Sequence, residues 1–251
     1  MERPLIGVTC ALSSERCNDL SPNTPFYHVY TDYCEAIWNA GGNPVILPPI
    51  AGIAEESGVE PLLKSLDGVF FSGGGLSTVP NTVALGKLMG QQPVRSQAEQ
   101  ALIHGCQRRK LPIIGSCRGH QMICESLGGT MAEDCLEGHS QNYPYHTPKH
   151  SIAIVPDTKL AAIVGGESWN VNSMHRQYVK NCPAGFRVNA VGPEGCIEGM
   201  EADDPDWFCI TFQYHPEMMI CDTRAYGLIK AFVDAAKAYK NAKLPMEVAY
   251  V

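Results

Sequence analysis

The run Gly115-Ser116-Cys117-Arg118-Gly119-His120-Gln121 narrows the folds open to this chain more than any other stretch. It follows the apolar residues Leu111-Pro112-Ile113-Ile114 and leads into a helix-like segment, His120 to Leu127, closed by Gly128-Gly129. A strand that turns at once into a helix, with glycines on both sides of a cysteine, has the form of a nucleophile elbow. The glycines let the chain pass a cramped turn. The side chain at the apex projects outward, and the N–H of Arg118 can face a developing oxyanion; cysteine here takes the place that serine holds in many such elbows. The plainer alternative is a small buried thiol after a strand. Four fixed letters of this kind arise by chance in about one in three hundred such chains, so the weight falls on what lies downstream.

Downstream, the apolar run Trp207-Phe208-Cys209-Ile210-Thr211-Phe212 ends in Gln213-Tyr214-His215-Pro216-Glu217. Residues i and i+2 of an extended segment share a face, so His215 and Glu217 can point the same way. A cysteine nucleophile needs a base beside it and a third group to orient that base. The imidazole takes the thiol proton, and the imidazolium then stabilises the thiolate. A histidine at a strand end is the bland reading; the elbow upstream and the carboxylate two residues on favour catalysis. Between Asp67 and Gly75 a short apolar strand runs into Gly73-Gly74-Gly75. Glycines there let backbone N–H groups approach a ligand, and an oxyanion hole needs such a donor opposite the one after Cys117. A phosphate loop is disfavoured, because no Gly-Lys-Ser/Thr follows.

Together these residues resemble the class I glutaminase superfamily, whose strand-to-glycine pair, G-x-C-x-G-x-Q and H-P-E occur here in order. Within it the chain is similar to the peptidase C26 branch, γ-glutamyl hydrolases of the γ-glutamyl-γ-aminobutyrate type. The supporting segments are Pro4 to Val8, Tyr33 to Ile37, Ala40 to Pro48, Val171-Asn172-Ser173-Met174-His175-Arg176-Gln177, and Cys196 to Glu201. The resemblance implies a flavodoxin-like α/β fold with a mostly parallel sheet. It implies catalytic Cys117, His215 and Glu217, and oxyanion donors near Gly73, Gly74 and Arg118. Gln121 would contact the glutamyl part, and His175 touches substrate or is structural. It implies hydrolysis of a γ-glutamyl amide through a γ-glutamyl thioester, with no cofactor or metal. The rival readings are a glutaminase subunit feeding ammonia to a synthase, and a non-catalytic redox sensor. The chain departs from the branch at Ser72, where proline is usual, and at Gln92-Pro93-Val94-Arg95-Ser96, where D-P-x-R-D is common. If that stretch lies at the site mouth, Arg95 favours neutral or carboxylate-bearing amines over polyamines.

Net charge is −7, and no basic patch of the size nucleic acid requires occurs. An anionic membrane is disfavoured for the same reason, and no stretch approaches the roughly 20 apolar residues of a spanning helix. The 11 cysteines are odd in number and irregular in spacing, which argues against a disulfide framework. Met1-Glu2-Arg3-Pro4 leads directly into the first apolar run, so no secretory leader is expected and a reducing cytoplasm is the economical compartment. No C-x-x-C pair occurs. The polar segment Glu137 to His150, with His139 and His146, reads as a surface loop near the site mouth rather than a zinc site. His150 resembles a histidine that family members place before a strand, where it would help shape the pocket. The expected partner is a small γ-glutamyl substrate, with homo-oligomerisation open.

Strands are expected near 5–10, 44–48, 68–72, 112–116, 129–132, 151–155, 187–191, 196–202 and 207–214. Helices are expected near 27–40, 95–109, 118–127, 158–164 and 222–242. Alternation in the first half implies a parallel sheet with helices on both faces. The β-rich stretch from about 150 to 214 implies added antiparallel strands. One domain over 1–251 is expected, with the site at the carboxyl ends of the strands.

Overall fold

The computed structural model describes residues 2–13, 25–50, 56–74, 92–133 and 136–248. Its elements in chain order are β1 (Leu5–Thr9), β2 (Ala11–Ser13), β3 (Phe26–His28), α1 (Thr31–Asn39), β4 (Asn43–Leu47), α2 (Glu56–Ser65), β5 (Gly68–Phe71) and α3 (Pro93–Arg109). There follow β6 (Ile113–Ser116), α4 (Arg118–Ser126), β7 (Thr130–Met131), β8 (His150–Ile154), α5 (Lys159–Val164), β9 (Ser168–Val171) and β10 (Val179–Asn181). The last are β11 (Phe186–Val191), β12 (Ile197–Ala202), β13 (Cys209–Phe212) and α6 (Thr223–Val248).

The strands of the main sheet lie in the order β4-β1-β5-β6-β13-β12-β11-β8-β9, with β10 and β7 off this path. The first five pair in parallel. In chain sequence those five read second, first, third, fourth, fifth, the flavodoxin-like order. From β13 onward β12, β11, β8 and β9 pair antiparallel. The added antiparallel segment is therefore a continuation of the parallel sheet, except that β13 itself runs parallel to β6.

Alternation along the central strands splits the core in two. Phe70, Ile114, Ile210 and Phe212 face α1, α5 and α6 through Tyr33, Ile37, Leu160, Leu228 and Phe232. Val69, Phe71, Ile113 and Cys209 face α2, α3 and α4 through Leu63, Leu102, Ile103 and Ile123. Successive strand residues point to opposite faces, so near-continuous apolar strands can bury both, as a parallel sheet demands. The expected helices on both faces are present.

Two local expectations shift. The first helix starts at Thr31, and the residues before it form β3, which pairs with β2. Helix α2 was not expected: Pro61 lies inside it, and proline disfavours an interior helical position. Its burial of Val59 and Leu63 against the sheet supplies the missing incentive.

Candidate active site

Strands β5, β6 and β13 are parallel neighbours, so their carboxyl ends open on one side. Ser72 to Gly74 follow β5, Cys117 follows β6, and His215 lies three residues past the end of β13. The sheet thus brings Gly73, Cys117 and His215 together from three remote parts of the sequence. The approach is close: a Cβ on Gly73 would stand 2.8 Å from His215 Cε1, 2.9 Å from Tyr33 Oη and 3.5 Å from Cys117 Cβ.

The elbow is strained as its spacing implies. Cys117 has φ 49° and ψ −107°, a conformation that L residues rarely adopt and that costs about 1–3 kcal/mol. Both flanking glycines are sterically required. A Cβ on Gly119 would sit 2.0 Å from the Phe71 carbonyl oxygen, and one on Gly115 2.8 Å from the backbone of Gly119. Cys117 is anchored by its N–H to the Phe212 carbonyl at 2.9 Å, and its own carbonyl accepts from Gln121 N–H at 3.1 Å.

His215 Nδ1 lies 2.6 Å from Glu217 Oε1, with both side chains buried. Burial alone would discharge the imidazole; the Glu217 carboxylate and the hydrogen bond with Cys117 outweigh it and raise the His215 pKa to about 10. The imidazolium is therefore the favoured form near neutrality. Tyr33 Oη adds contacts to Ser116 Oγ at 3.0 Å and His215 Nδ1 at 3.4 Å. Its phenol is held well above its ordinary range, first by burial and then by Glu217, so it remains a neutral donor. Asn172 clamps the histidine backbone: its Oδ1 accepts from His215 N–H at 2.8 Å and its Nδ2 donates to His215 O at 3.1 Å.

Arg95 lies not at a mouth but in the interior, with 1% of its surface exposed, and Ser96 beside it is fully buried. The expectation that this stretch meets the leaving amine is corrected. Arg95 Nη2 donates to Ser72 O at 3.0 Å and to Gly73 O at 2.8 Å, while Nε donates to Glu99 Oε1 at 2.7 Å. In a trans peptide C=O and N–H point opposite ways. Fixing Gly73 O toward α3 therefore aims Gly74 N–H away from it.

Gly73 N–H is itself taken, donating to Tyr33 Oη at 2.8 Å, so Gly73 is corrected from donor to spacer. Gly74 is exposed, and a Cβ there would meet nothing among the described residues within 4 Å. The Arg118 side chain turns inward, donating to Ser96 Oγ at 2.7 Å and lying 3.5 Å from Glu99 Oε2. Burial lowers its pKa to about 10, Glu99 opposes this, and Arg95 adds to it. Two guanidiniums share one carboxylate here, which leaves a positive surplus beside Cys117.

Gln121 and His175 both take partners inside the protein. The Gln121 amide nitrogen is committed to Gln177 O and Gln213 Oε1, each at 2.9 Å, and it braces the site from within. His175 is buried, with Nδ1 3.0 Å from Gln177 O and Nε2 3.4 Å from Glu198 Oε1. His139 is buried too, so the segment around it is not simply a surface loop. Sequence reasoning missed Tyr33 and Asn172 as site residues. Tyr33 lies on a helix whose Ala36 and Ile37 are core, which masks a polar task. Asn172 sits in the motif that carried the resemblance, and that was its available signal. The residues 75–91, part of the expected oxyanion loop and its short connection, lie outside the described residues. The nine described cysteines are all free thiols. No described helix is long and apolar enough to cross a membrane.

The sequence model of the peptidase C26 family matches residues 4–217. A Mycobacterium tuberculosis protein carrying the provisional name of glutamine amidotransferase is 34% identical over 98% of this chain and 79% of its own length. The γ-glutamyl-γ-aminobutyrate hydrolase of Escherichia coli strain K12 is 28% identical over 86% of this chain and 87% of its own. A solved structure from Thermoplasma acidophilum, provisionally described as a subunit of GMP synthase, superposes with a TM-score of 0.67 at 15% identity, covering 96% of this chain and 98% of that one. That likeness fixes the architecture, and the family match fixes the lineage: the chain belongs to the peptidase C26 family of glutamine amidotransferase-like hydrolases.

Proposed function

We propose that this protein hydrolyses γ-glutamyl amides by acyl transfer through Cys117. The observation that carries the reading is the His215 ring, buried between the Glu217 carboxylate and the Cys117 thiol at an elbow with positive φ. Cys117 thiolate attacks the γ-carbonyl. The N–H groups of Gly74 and Arg118 receive the oxyanion, and the buried guanidiniums beside them favour its charge. His215 delivers its proton to the leaving amine while Glu217 keeps the ring oriented. Water then attacks the thioester, with His215 as base, releasing glutamate and restoring the thiol. The γ-glutamyl substrate class rests on the named E. coli relative and on the motif resemblance.

The test is a panel of γ-glutamyl amides, glutamine included, incubated with purified protein and resolved by product. Release of glutamate and free amine, absent in Cys117→Ala, is the expected result. Turnover of glutamine alone, stimulated by a synthase, would favour the glutaminase-subunit reading that the M. tuberculosis relative's name suggests. No acyl-enzyme with any γ-glutamyl compound would overturn both.

A further inference from the structure

Away from the thiol, four residues distant in sequence converge in the interior. Glu198 lies on β12, His150 begins β8, His139 lies in the segment between β7 and β8, and His175 lies between β9 and β10. The Nε2 atoms of His139, His150 and His175 stand 3.1, 3.4 and 3.4 Å from one oxygen, Glu198 Oε1. The His139 ring packs against His150 and His175 at centroid separations of 4.5 and 4.6 Å. Glu198 and His175 are buried, and His150 Nε2, His175 Nε2 and Glu198 Oε2 have no hydrogen-bond partner among the described residues.

Proton placement makes this arrangement hard to explain as a hydrogen-bonded cluster. His175 Nδ1 faces the Gln177 carbonyl at 3.0 Å, and a carbonyl only accepts, so that nitrogen carries the proton. In the neutral ring Nε2 then presents a lone pair to a carboxylate oxygen. His139 Nε2 is hydrogen-bonded to Glu198 Oε1 at 3.1 Å, while its Nδ1 lies 3.3 Å from Glu194 Oε2, so a carboxylate stands ready to accept from either nitrogen of that ring. His139, His150 and Glu198 each bring a ligand atom within 4.8 Å of the other two, and a divalent cation among them would give His150 Nε2 and Glu198 Oε2 the partner that the described residues do not supply. A metal-bound histidine commonly donates its other ring N–H to a carboxylate or a backbone carbonyl, and Glu194 Oε2 lies 3.3 Å from His139 Nδ1, placed to receive it. Tetrahedral zinc with bonds of about 2.0–2.1 Å places its ligand atoms about 3.3–3.4 Å apart, and His139 Nε2 and His150 Nε2 stand 3.1 and 3.4 Å from Glu198 Oε1.

We propose that His139, His150 and Glu198 form a structural site for a divalent d-block cation, with zinc the best match to its nitrogen-rich ligand set, and that the buried His175 packs against it. The site ties together segments remote in sequence. His150 pairs in register with Val171, next to Asn172, which holds the His215 backbone. The site's role is to fix that segment, and it does not depend on the γ-glutamyl reading.

The experiment uses the full chain. Metal content is measured after dialysis against metal-free buffer. Chelator-stripped protein is then titrated with Zn²⁺ against a chromophoric competitor, and with Co²⁺ for the absorption of a four-coordinate ion. The expected result is one zinc per chain, a higher thermal midpoint with Zn²⁺, and a tetrahedral Co²⁺ spectrum. His150→Gln should abolish that spectrum, and Glu194→Gln should weaken zinc binding by about 10–100-fold. Stripped wild-type protein whose midpoint and spectrum ignore Zn²⁺ and Co²⁺ would overturn the site, whatever the variants do. So would stoichiometric zinc unaffected by either substitution, since the metal would then lie elsewhere.

Discussion

At the residue scale the proposed nucleophile, Cys117, is set apart by its neighbours. Burial pushes Cys106 beyond the ordinary thiol range, and Cys124 and Cys196 up to about 12, so these stay protonated and slow to react. Cys117 has the raised His215 beside it, while Cys221 is simply exposed. Iodoacetamide followed by peptide mapping should modify Cys117 first. His215→Asn should slow that labelling and leave Cys221 unchanged; equal slowing at both would deny His215 a role in activating Cys117. Cys117→Ala and Cys117→Ser should lose turnover by several orders of magnitude while the fold survives. The pH profile gives a separate check. Acylation needs His215 protonated, so kcat/KM should fall as pH rises through about 10. Glu217→Gln removes the carboxylate that raises this pKa, so the alkaline limb should move to lower pH and kcat should drop. An unmoved limb would remove Glu217 from the catalytic set.

At the element scale the question is how strands and helices aim backbone atoms. Helix α3 presents Arg95 to the loop after β5, and the guanidinium holds the Ser72 and Gly73 carbonyls. Arg95→Lys keeps a charge but cannot span these carbonyls and Glu99 together. It should lower kcat by about 10²–10³, the usual loss when an oxyanion donor is misplaced, with KM little changed. A change confined to KM for particular amines would return Arg95 to the role of reading the leaving group. The contact between α4 and β5 is tighter still. Gly119→Ala forces a Cβ to 2.0 Å from Phe71 O and should lower stability by several kcal/mol or prevent folding. Gly74→Ala meets open space and should fold normally, as circular dichroism melts of the two variants can show.

For the whole molecule, two buried histidines set opposing limits on stability. His215 has its folded pKa raised from 6.5 to about 10, so its contribution is complete below pH 6.5 and is lost as pH rises through about 10. His120 is pushed down from 6.5 to about 3, chiefly by burial. Its contribution is complete above pH 6.5 and is lost as pH falls through about 3. Together they place a stability maximum near pH 6.5, and urea midpoints across pH should trace it. His120→Gln should flatten the acid side alone, unless the cavity it leaves dominates at every pH. The alternating apolar runs were enough to derive the parallel sheet, because each strand must bury both faces. The G-x-C-x-G turn announced the elbow, because Gly115 and Gly119 alone fit the space left by their neighbours. Glu217 was expected beside His215 from the two-residue repeat of an extended segment, but Pro216–Met218 forms a 3₁₀ turn, and it is that turn which brings the carboxylate to the ring. The tertiary structure alone decided what lies beyond such local rules. It turned Arg95 inward, gave Tyr33 the Gly73 N–H, set Asn172 on the His215 backbone, and gathered His139, His150, His175 and Glu198 from four separate segments. Periodicity and turn chemistry act over a few residues, whereas those contacts depend on which strands become neighbours in the sheet, and strand order is settled by packing across the whole chain.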